Sequence, residues 1–357
     1  MKIAIDARFY GSGHTGLGRY TTNVLKYLPK HLQGQTLQVL LRDSEYDNFP
    51  SGKNIVKIHA EIPHYSLAEQ LKLPALLSSI SSDLLYTFHF NTPIFSKIPT
   101  IVTVHDLIKS HFTGRDTTTR DPWFYSLKRA GYNQVIKSTL SHASDIIVPT
   151  NTVKNDILAL FPTIKPELIH SIPEAPDEIF RTHSLRSTIH DLPSKYILFV
   201  GNAYPHKNLS VLLKAMQQLP DQDLVIVAKK SQFLSRVLAP YDQTRIHILS
   251  NLSDEELVVV YRQAQVLVTP SLMEGYGLVG LEALMVGTPV VASNIAVYRE
   301  VYGDKVTYFD PHSSSDLVKA LSNPKFIIHN SKFKFDRTWD DVAKSIAEVI
   351  HARCASL

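Results

Sequence analysis

The 357-residue chain contains a single cysteine, Cys354. One thiol cannot form an intramolecular disulfide, and it cannot supply the cysteine cluster of a structural zinc site. No apolar run approaches the roughly 18 residues that a membrane-spanning helix requires. The N-terminal sequence MKIAID enters a strand pattern directly, which argues against a signal peptide. These features predict a soluble protein of the cytoplasm.

The chain also has only a small excess of positively charged over negatively charged side chains. The chain has 37 Lys and Arg against 33 Asp and Glu, a net charge of +4. Such a weak and scattered excess does not predict a nucleic-acid-binding protein. It is compatible with an anionic small molecule or an anionic membrane surface as partner. The composition, 44% hydrophobic and 20% charged, is otherwise that of a globular protein long enough for two domains.

Short apolar segments alternate with amphipathic segments in both halves of the chain. Predicted buried strands include KIAID (2–6), YILFVG (196–201) and VLVTPS (266–271). Predicted helices include NTVKNDILALF (151–161) and LVGLEALMVG (278–287). This alternation predicts an α/β fold with two doubly wound domains. Because such sheets bind ligands at the carboxyl ends of their strands, we expect the main site in the cleft between the domains.

Proline and polar residues accumulate in the segment 172–195, which predicts a domain linker there. We therefore expect an N-terminal domain over residues 1–178 and a C-terminal domain over 179–337. A helix over 338–357 is expected to pack back on the first domain. Pro29 is predicted to close the first helix.

The segment EGYGLVGLE (274–282) follows a predicted strand and places two carboxylates around three glycines. Gly275 and Gly277 let the backbone approach a ligand closely. The N–H groups of the helix that starts here attract an anion such as phosphate. A nucleotide sugar fits this set, since Glu274 or Glu282 can hold sugar hydroxyls while the other holds the ribose.

The segment PSLMEGYGLVGLEALMVGTPVVAS (270–293) resembles the E-x7-E region of the retaining glycosyltransferases of family 4. Further segments resemble that family in the expected order: HTGLGRYTTNVL (14–25), IPTIVTVHDLI (98–108), VGNAYPHKNLSVLLKAM (200–216) and LSDEELVVVYRQAQVLVTPS (252–271). The resemblance spans nearly the whole chain. It implies the GT-B fold, in which two Rossmann-like domains face each other across a cleft.

The resemblance also implies roles for individual residues. Glu274 is expected to face the donor sugar near the reacting carbon, with His105 under that sugar. Lys207 is expected to neutralise the leaving phosphate, where preorganised positive charge is most effective. Glu282 is expected to bind the ribose, and Gly16 to let the first loop approach the diphosphate. The expected donor contacts are completed by Asn202, Gly275, Tyr276, Gly277 and Leu278.

One position departs from the family pattern. The family usually places an arginine soon after the glycine that ends the first strand of the second domain, whereas Asn202 follows Gly201 here. His206 and Lys207 are the candidate cations nearby. A lysine at the end of the next strand (Lys229 or Lys230) is an alternative source of the missing charge.

The expected activity is retaining transfer of a hexose from a nucleotide diphosphate sugar to a glycan or lipid-linked acceptor. Mannose is the expected hexose because the chain is similar to mannosyltransferases of cell-surface glycan assembly. We expect no cofactor and no metal. Lys and Arg side chains beside Trp123, Phe124 and Tyr125 indicate either a peripheral membrane surface at the inner face of the membrane or a solvated helix flank.

Other interpretations remain open on the residues alone. GSGHTG (11–16) matches the G-x-G-x-x-G motif of an NAD(P)-dependent oxidoreductase, although four residues separate it from the preceding strand. A catalytically inactive sugar-nucleotide-binding protein is a further alternative, given Asn202. DQD (221–223) imitates an Asp-x-Asp metal motif, but it precedes a strand and indicates a turn.

Overall fold

A computed structural model describes residues 1–11, 15–94, 96–114, 122–181, 192–322 and 333–357. The chain divides into two compact units. The first comprises Met1–Leu107, Trp123–Glu174 and Trp339–Leu357, and the second comprises Ile108–Pro122 and Ala175–Thr338. Residues 12–14 of the glycine motif, part of the linker (182–191) and the side chain of Phe124 lie outside the described residues.

A parallel sheet forms the centre of the first unit, with the strand order β3-β2-β1-β4-β5-β6-β7 among the described residues. Its strands are β1 (Lys2–Asp6), β2 (Thr36–Leu41), β3 (Ile55–His59), β4 (Leu84–Thr87), β5 (Thr100–Thr103), β6 (Asp145–Val148) and β7 (Ile169–Ser171). The central strands are buried along almost their whole length, as expected when helices cover both faces of a parallel sheet. The helices in this part of the chain are α1 (Thr15–His31), α2 (Asp43–Tyr46), α3 (Leu67–Ser79), α4 (Ile108–His111), α5 (Pro122–His142) and α6 (Asn151–Leu160).

The second unit repeats this plan around a parallel sheet ordered β10-β9-β8-β11-β12-β13. Its strands are β8 (Tyr196–Val200), β9 (Asp223–Val227), β10 (Ile246–Leu249), β11 (Val266–Thr269), β12 (Val290–Ser293) and β13 (Thr307–Phe309). Its helices are α7 (Leu209–Met216), α8 (Gln232–Leu238), α9 (Asp254–Gln263), α10 (Leu278–Met285), α11 (Ala296–Tyr302) and α12 (Ser314–Ser322). The predicted α/β fold with two Rossmann-like sheets is confirmed.

The last helix of the chain, α13 (Trp339–Ala355), packs against α1 in the first unit. Its buried face carries Trp339, Val342, Ala343, Ile346, Ala347 and Ile350. Polar contacts hold both ends, since Lys30 Nζ lies 2.7 Å from Asp340 Oδ2 and Arg353 Nε lies 2.7 Å from Asp145 Oδ2. Residues 339–357 thus complete the core of a unit that begins at residue 1.

Three sequence expectations differ from the structure. The helix predicted to close at Pro29 continues to His31, because a proline near a helix end removes only one late hydrogen bond. The segment Ile108–Pro122 groups with the second unit, and the ring of Phe112 lies 5.8 Å from that of His206. The edge strands β3, β7 and β13 were not predicted, because β7 and β13 have only three residues each and β3 is only partly buried.

No helix in the described part of the chain is both long enough and apolar enough to cross a membrane.

Candidate active site

The strand order of the second sheet reverses between β8 and β11, which are hydrogen-bonded neighbours. Sheets of this kind bind ligands outside the carboxyl ends of the strands at such a reversal. Two loops meet there, the β8 loop (residues 201–208) and the β11 loop (residues 270–277). The Leu272 N–H donates to the His206 carbonyl at 2.7 Å, and Asn208 Nδ2 donates to the Pro270 carbonyl at 3.0 Å. The two loops therefore form one structural element.

Lys207 and Glu274 face each other across these loops. Lys207 Nζ lies 2.6 Å from Glu274 Oε1, and the side chains retain 23% and 12% of their exposure. The Ser271 hydroxyl donates to the same carboxylate oxygen at 2.6 Å, and the Tyr298 hydroxyl lies 3.3 Å away. The structure thus joins two residues that the sequence placed at the reaction centre. A partly desolvated ammonium and carboxylate remain accessible to a ligand.

The charge of Glu274 depends on these neighbours. Burial alone raises the pKa of the carboxyl group, but the charge and hydrogen bond of Lys207, the hydrogen bond of Ser271 and the charge of His206 outweigh it. The net pKa of Glu274 lies below its ordinary value of 4.5. Glu274 is therefore a carboxylate at neutral pH and cannot donate a proton there.

The β11 loop ends at a left-handed residue, Gly277, with φ of +106°. The Tyr302 hydroxyl donates to the Gly277 carbonyl at 2.6 Å, and a Cβ on Gly277 would lie 2.5 Å from that hydroxyl oxygen. Only glycine fits here without displacing the tyrosine. Leu278 opens α10 directly afterwards, so the N–H groups of the first helical turn point out of the loop toward a potential anion.

Glu282 lies on α10, where only 6% of its surface is exposed. It accepts a hydrogen bond from the Tyr261 hydroxyl at 2.9 Å. A buried carboxylate is tolerated only where hydrogen bonds compensate for its lost hydration. The hydrogen bond from Tyr261 provides such compensation, which a glutamate at the surface would not need. The arrangement preorganises one carboxylate beside the β11 loop.

The remaining residues that were predicted to contact the donor differ in how far they are buried. Gly275 is half-buried in the β11 loop, and Asn202 is half-buried after Gly201, a residue with φ of +145°. The Tyr276 side chain lies instead in the hydrophobic core of the second unit. A ligand could reach Tyr276 only through its backbone. Lys229 and Lys230 are exposed directly after β9.

His105 and Gly16 belong to the first unit. His105 follows β5, and both of its ring nitrogens face oxygen acceptors: Nε2 is 3.0 Å from the Phe88 carbonyl and Nδ1 is 3.1 Å from Glu174 Oε1. Burial lowers the pKa of the imidazole, but the hydrogen bond and charge of Glu174 outweigh it and raise the pKa above its ordinary value. Gly16 lies in the first turn of α1, where a Cβ would meet open space.

Four polar side chains at these positions were missed by sequence reasoning: Ser271, Tyr261, Tyr298 and Glu174. Ser271 could have been found, because a hydroxyl three residues before Glu274 in one loop is close to it by necessity. The other three come from distant segments that carry no motif. The DQD segment has structural contacts, since Asp223 begins β9 and lies 3.0 Å from His247 Nε2 and 3.3 Å from Arg245 Nη1.

Comparison with known proteins assigns both halves of the chain. Residues 14–178 match the family model described as Glycosyltransferase Family 4, and residues 181–325 match the model described as Glycosyl transferases group 1. The chain is 23% identical over 302 residues to the O-antigen chain mannosyltransferase RfbU of Salmonella typhimurium, which covers 80% of this chain and 79% of that relative. It is 27% identical over 320 residues to the serotype-specific mannosyltransferase WbdA of Escherichia coli, which covers 80% of this chain but only 38% of that longer relative.

The fold has close counterparts among solved structures. Sucrose-phosphate synthase from Thermosynechococcus elongatus matches with a TM-score of 0.70 at 18% identity, over 100% of both chains. The two parallel sheets of this chain and that likeness confirm the GT-B architecture expected from the sequence. Two family models that between them span residues 14–325, on a fold of this type, establish that the chain belongs to glycosyltransferase family 4.

Proposed function

We propose that the chain is a retaining, metal-independent hexosyltransferase that moves mannose from a nucleotide diphosphate sugar to a glycan or lipid-linked acceptor. The observation that carries the proposal is the Lys207–Glu274 pair, 2.6 Å apart at the strand reversal of the second sheet. It supplies a cation for the departing diphosphate and a carboxylate for the sugar at one location.

The chemistry makes use of both charges. The bond between the anomeric carbon and the diphosphate oxygen breaks, which leaves negative charge on the phosphate and positive character on the sugar. Lys207 and the first N–H groups of α10 stabilise the developing phosphate charge, which is the type of preorganised stabilisation that lowers barriers most. The acceptor hydroxyl forms the new bond at the anomeric carbon and its proton passes to the released diphosphate. Glu274 holds hydroxyls of the transferred sugar, and Glu282 holds the ribose.

Mannose as the transferred sugar is supported by the two relatives named above, which are mannosyltransferases. GDP-mannose is the donor that we propose on this basis. The test is a thermal-shift and transfer screen with GDP-mannose, UDP-glucose and ADP-glucose, with NAD as the control nucleotide. We expect GDP-mannose to give the largest stabilisation and the fastest turnover. Stabilisation by NAD alone would contradict the proposal.

Stereochemistry and metal dependence test the mechanism separately. We expect an α-linked product from the α-linked donor by NMR, and unchanged turnover in EDTA. A β-linked product would overturn the retaining mechanism. Loss of turnover in EDTA, restored by a divalent cation, would overturn metal independence while leaving the glycosyl transfer itself intact.

Peripheral membrane contact is the second part of the proposal. Trp123 is 75% exposed and Leu127 57% exposed, one turn apart on α5, and Lys128 beside them is exposed. Leu67 and Leu71 repeat this spacing on α3 and are also exposed. Exposed aromatic and aliphatic side chains beside basic residues are typical of helices that lie in the headgroup region of anionic membranes.

The membrane contact is tested by sedimentation with vesicles. We expect the protein to bind vesicles containing phosphatidylglycerol more strongly than vesicles of phosphatidylcholine, and the paired variant Trp123→Ser/Leu127→Ser to lose most of that binding. Leu160→Ser removes an exposed leucine from α6 and serves as the control. Equal binding of all three proteins would contradict the assignment of this surface.

A further inference from the structure

Two tyrosines on α11 pack against the β11 loop. Tyr298 and Tyr302 are one helical turn apart, are 1% and 2% exposed, and stack with ring centroids 4.9 Å apart. The Tyr308 hydroxyl lies 2.9 Å from the Tyr298 carbonyl oxygen and 2.8 Å from that of Gly303, and its one proton is donated to either of them at the end of α11. The pair is therefore rigidly placed, although none of the roles assigned above to donor-binding residues includes it.

Tyr298 connects the end of β11 to Glu274. Its hydroxyl oxygen lies 2.5 Å from Thr269 Oγ1 and 3.3 Å from Glu274 Oε1. A hydroxyl has one proton to give, and a carboxylate can only accept. Tyr298 therefore donates to Glu274 and accepts from Thr269. These two hydrogen bonds tie the Glu274 carboxylate to the end of β11 and hold its orientation, in addition to the ion pair with Lys207.

Tyr302 supports the other end of the loop. Its hydroxyl donates to the carbonyl of Gly277, the left-handed residue that precedes α10. Its ring occupies the space left by Gly280, since a Cβ on Gly280 would collide with the Tyr302 ring and hydroxyl. Gly280 and Tyr302 are thus matched in size, and the glycine is required by the tyrosine rather than by its own backbone conformation.

We propose that Tyr298 and Tyr302 are positioning residues of the reaction centre. Tyr298 orients Glu274 toward the transferred sugar. Tyr302 sets the turn at Gly277 and so aims the first N–H groups of α10 at the diphosphate. The inference rests on the proposed function, because it takes Glu274 and the start of α10 as donor contacts.

The two roles predict different kinetic effects. Tyr298→Phe removes the hydrogen bond to a charged group at the reacting sugar, and we expect it to lower kcat by about tenfold with little change in the donor KM. Tyr302→Phe removes a neutral hydrogen bond under the diphosphate contacts, and we expect it to raise the donor KM by about three- to tenfold with a smaller change in kcat. Gly280→Ala displaces the Tyr302 hydroxyl and should reproduce the rise in KM.

A matched control separates positioning from general stability. Tyr196 lies in the same unit, and its buried hydroxyl donates to the Val260 carbonyl at 2.7 Å, at the amino end of β8. Tyr196→Phe therefore loses a comparable buried hydrogen bond away from the loops, and we expect wild-type kcat and KM. Gly131→Ala, on a helix position where a Cβ meets open space, is the control for Gly280→Ala. Steady-state kinetics on soluble acceptor, per folded enzyme, measures all variants.

The outcomes also distinguish this inference from the function on which it rests. Wild-type kcat and KM in both Tyr298→Phe and Tyr302→Phe, while Glu274→Gln is inactive, would overturn the positioning roles alone. Equal losses in all three tyrosine variants would do the same, since they would report general stability. Full activity in Glu274→Gln would overturn the assignment of the reaction centre and, with it, the inference.

Discussion

At the scale of single residues, Lys207 is the cation that the structure places closest to Glu274 among the described side chains. Its ammonium group balances a carboxylate in the free protein and would face the diphosphate in the donor complex. Because Asn202 follows Gly201 where the resemblance leads us to expect an arginine, we expect Lys207 to supply more of the charge stabilisation here. Substitution of Lys207 should therefore change the rate of transfer.

We expect Lys207→Ala to lower kcat by about 10²–10³-fold, the range seen when one transition-state donor is removed. Lys207→Arg keeps the charge and should retain more activity. Lys214→Ala, at an exposed position of α7, is the matched control. Steady-state kinetics decides, and a near-normal kcat for Lys207→Ala would assign the charge to His206, Lys229 or Lys230 instead.

The same pair predicts a pH effect. Because the folded pKa of Glu274 is lowered below 4.5, its charged form stabilises the folded state above that pH, and this contribution is lost as the pH falls through the folded value. The acid limb of kcat/KM should therefore lie below pH 4.5 in the wild type. In Lys207→Ala the largest influence that lowers the pKa of Glu274 is gone, so the limb should move to higher pH. An unmoved limb would show that Glu274 is not the group that titrates.

Glu282 is expected to act on binding rather than on turnover. Its carboxylate is buried beside Tyr261, and loss of a charged hydrogen bond to the ribose should weaken nucleotide binding by roughly 1.5–3 kcal/mol. Glu282→Gln keeps the volume and one acceptor, so it isolates the charge from the packing. Isothermal titration with GDP measures the change, and unchanged affinity in Glu282→Ala would exclude the ribose contact.

At the scale of helices and strands, α13 contributes a buried apolar face to the core of the first unit. Ile346 is fully buried between α13 and its neighbours, and the removal of such a side chain typically costs 2–5 kcal/mol because a cavity remains. We expect Ile346→Ala to destabilise the first unit by about that amount in urea unfolding. Lys344→Ala, at an exposed position of the same helix, should change stability by less than about 0.5 kcal/mol. Equal effects of the two changes would mean that α13 does not contribute to this core.

The elements also show how far the sequence could predict the site. The resemblance to family 4 assigned Lys207 and Glu274 to the same place, and the alternation of strands and helices agrees, because both residues follow the carboxyl ends of strands. Tyr298 could not be assigned, because it reaches Glu274 from a helix beyond the next strand. Tyr276 was expected to contact the donor, but its side chain lies in the core. Periodicity does not tell which side of a loop faces inward, and it is weakest at edge strands such as β13.

At the scale of the whole molecule, the chain has two tryptophans, Trp123 and Trp339, and both belong to the first unit. Tryptophan fluorescence therefore reports unfolding of the first unit, whereas far-ultraviolet circular dichroism reports both units. Each unit has a core of its own, and chains of this kind commonly deviate from two-state unfolding.

We expect GDP to shift the circular-dichroism transition upward by more than the fluorescence transition, because its proposed contacts lie mainly in the second unit. At a hundredfold excess over Kd the stabilisation should approach about 2.7 kcal/mol. Identical shifts in the two signals would show that the units unfold as one cooperative block. A shift confined to fluorescence would move the nucleotide to the first unit.

The return of α13 to the first unit has a consequence for synthesis of the protein on the ribosome. Domains usually fold in the order in which they emerge, at about 5–20 residues per second. Here Trp339–Leu357 emerge only after all of the second unit, yet they cover α1 in the first. The unit translated first is thus the last to be completed. During that interval the face of α1 that α13 covers in the finished protein lacks this covering, and we expect it to be a site of aggregation or of chaperone binding.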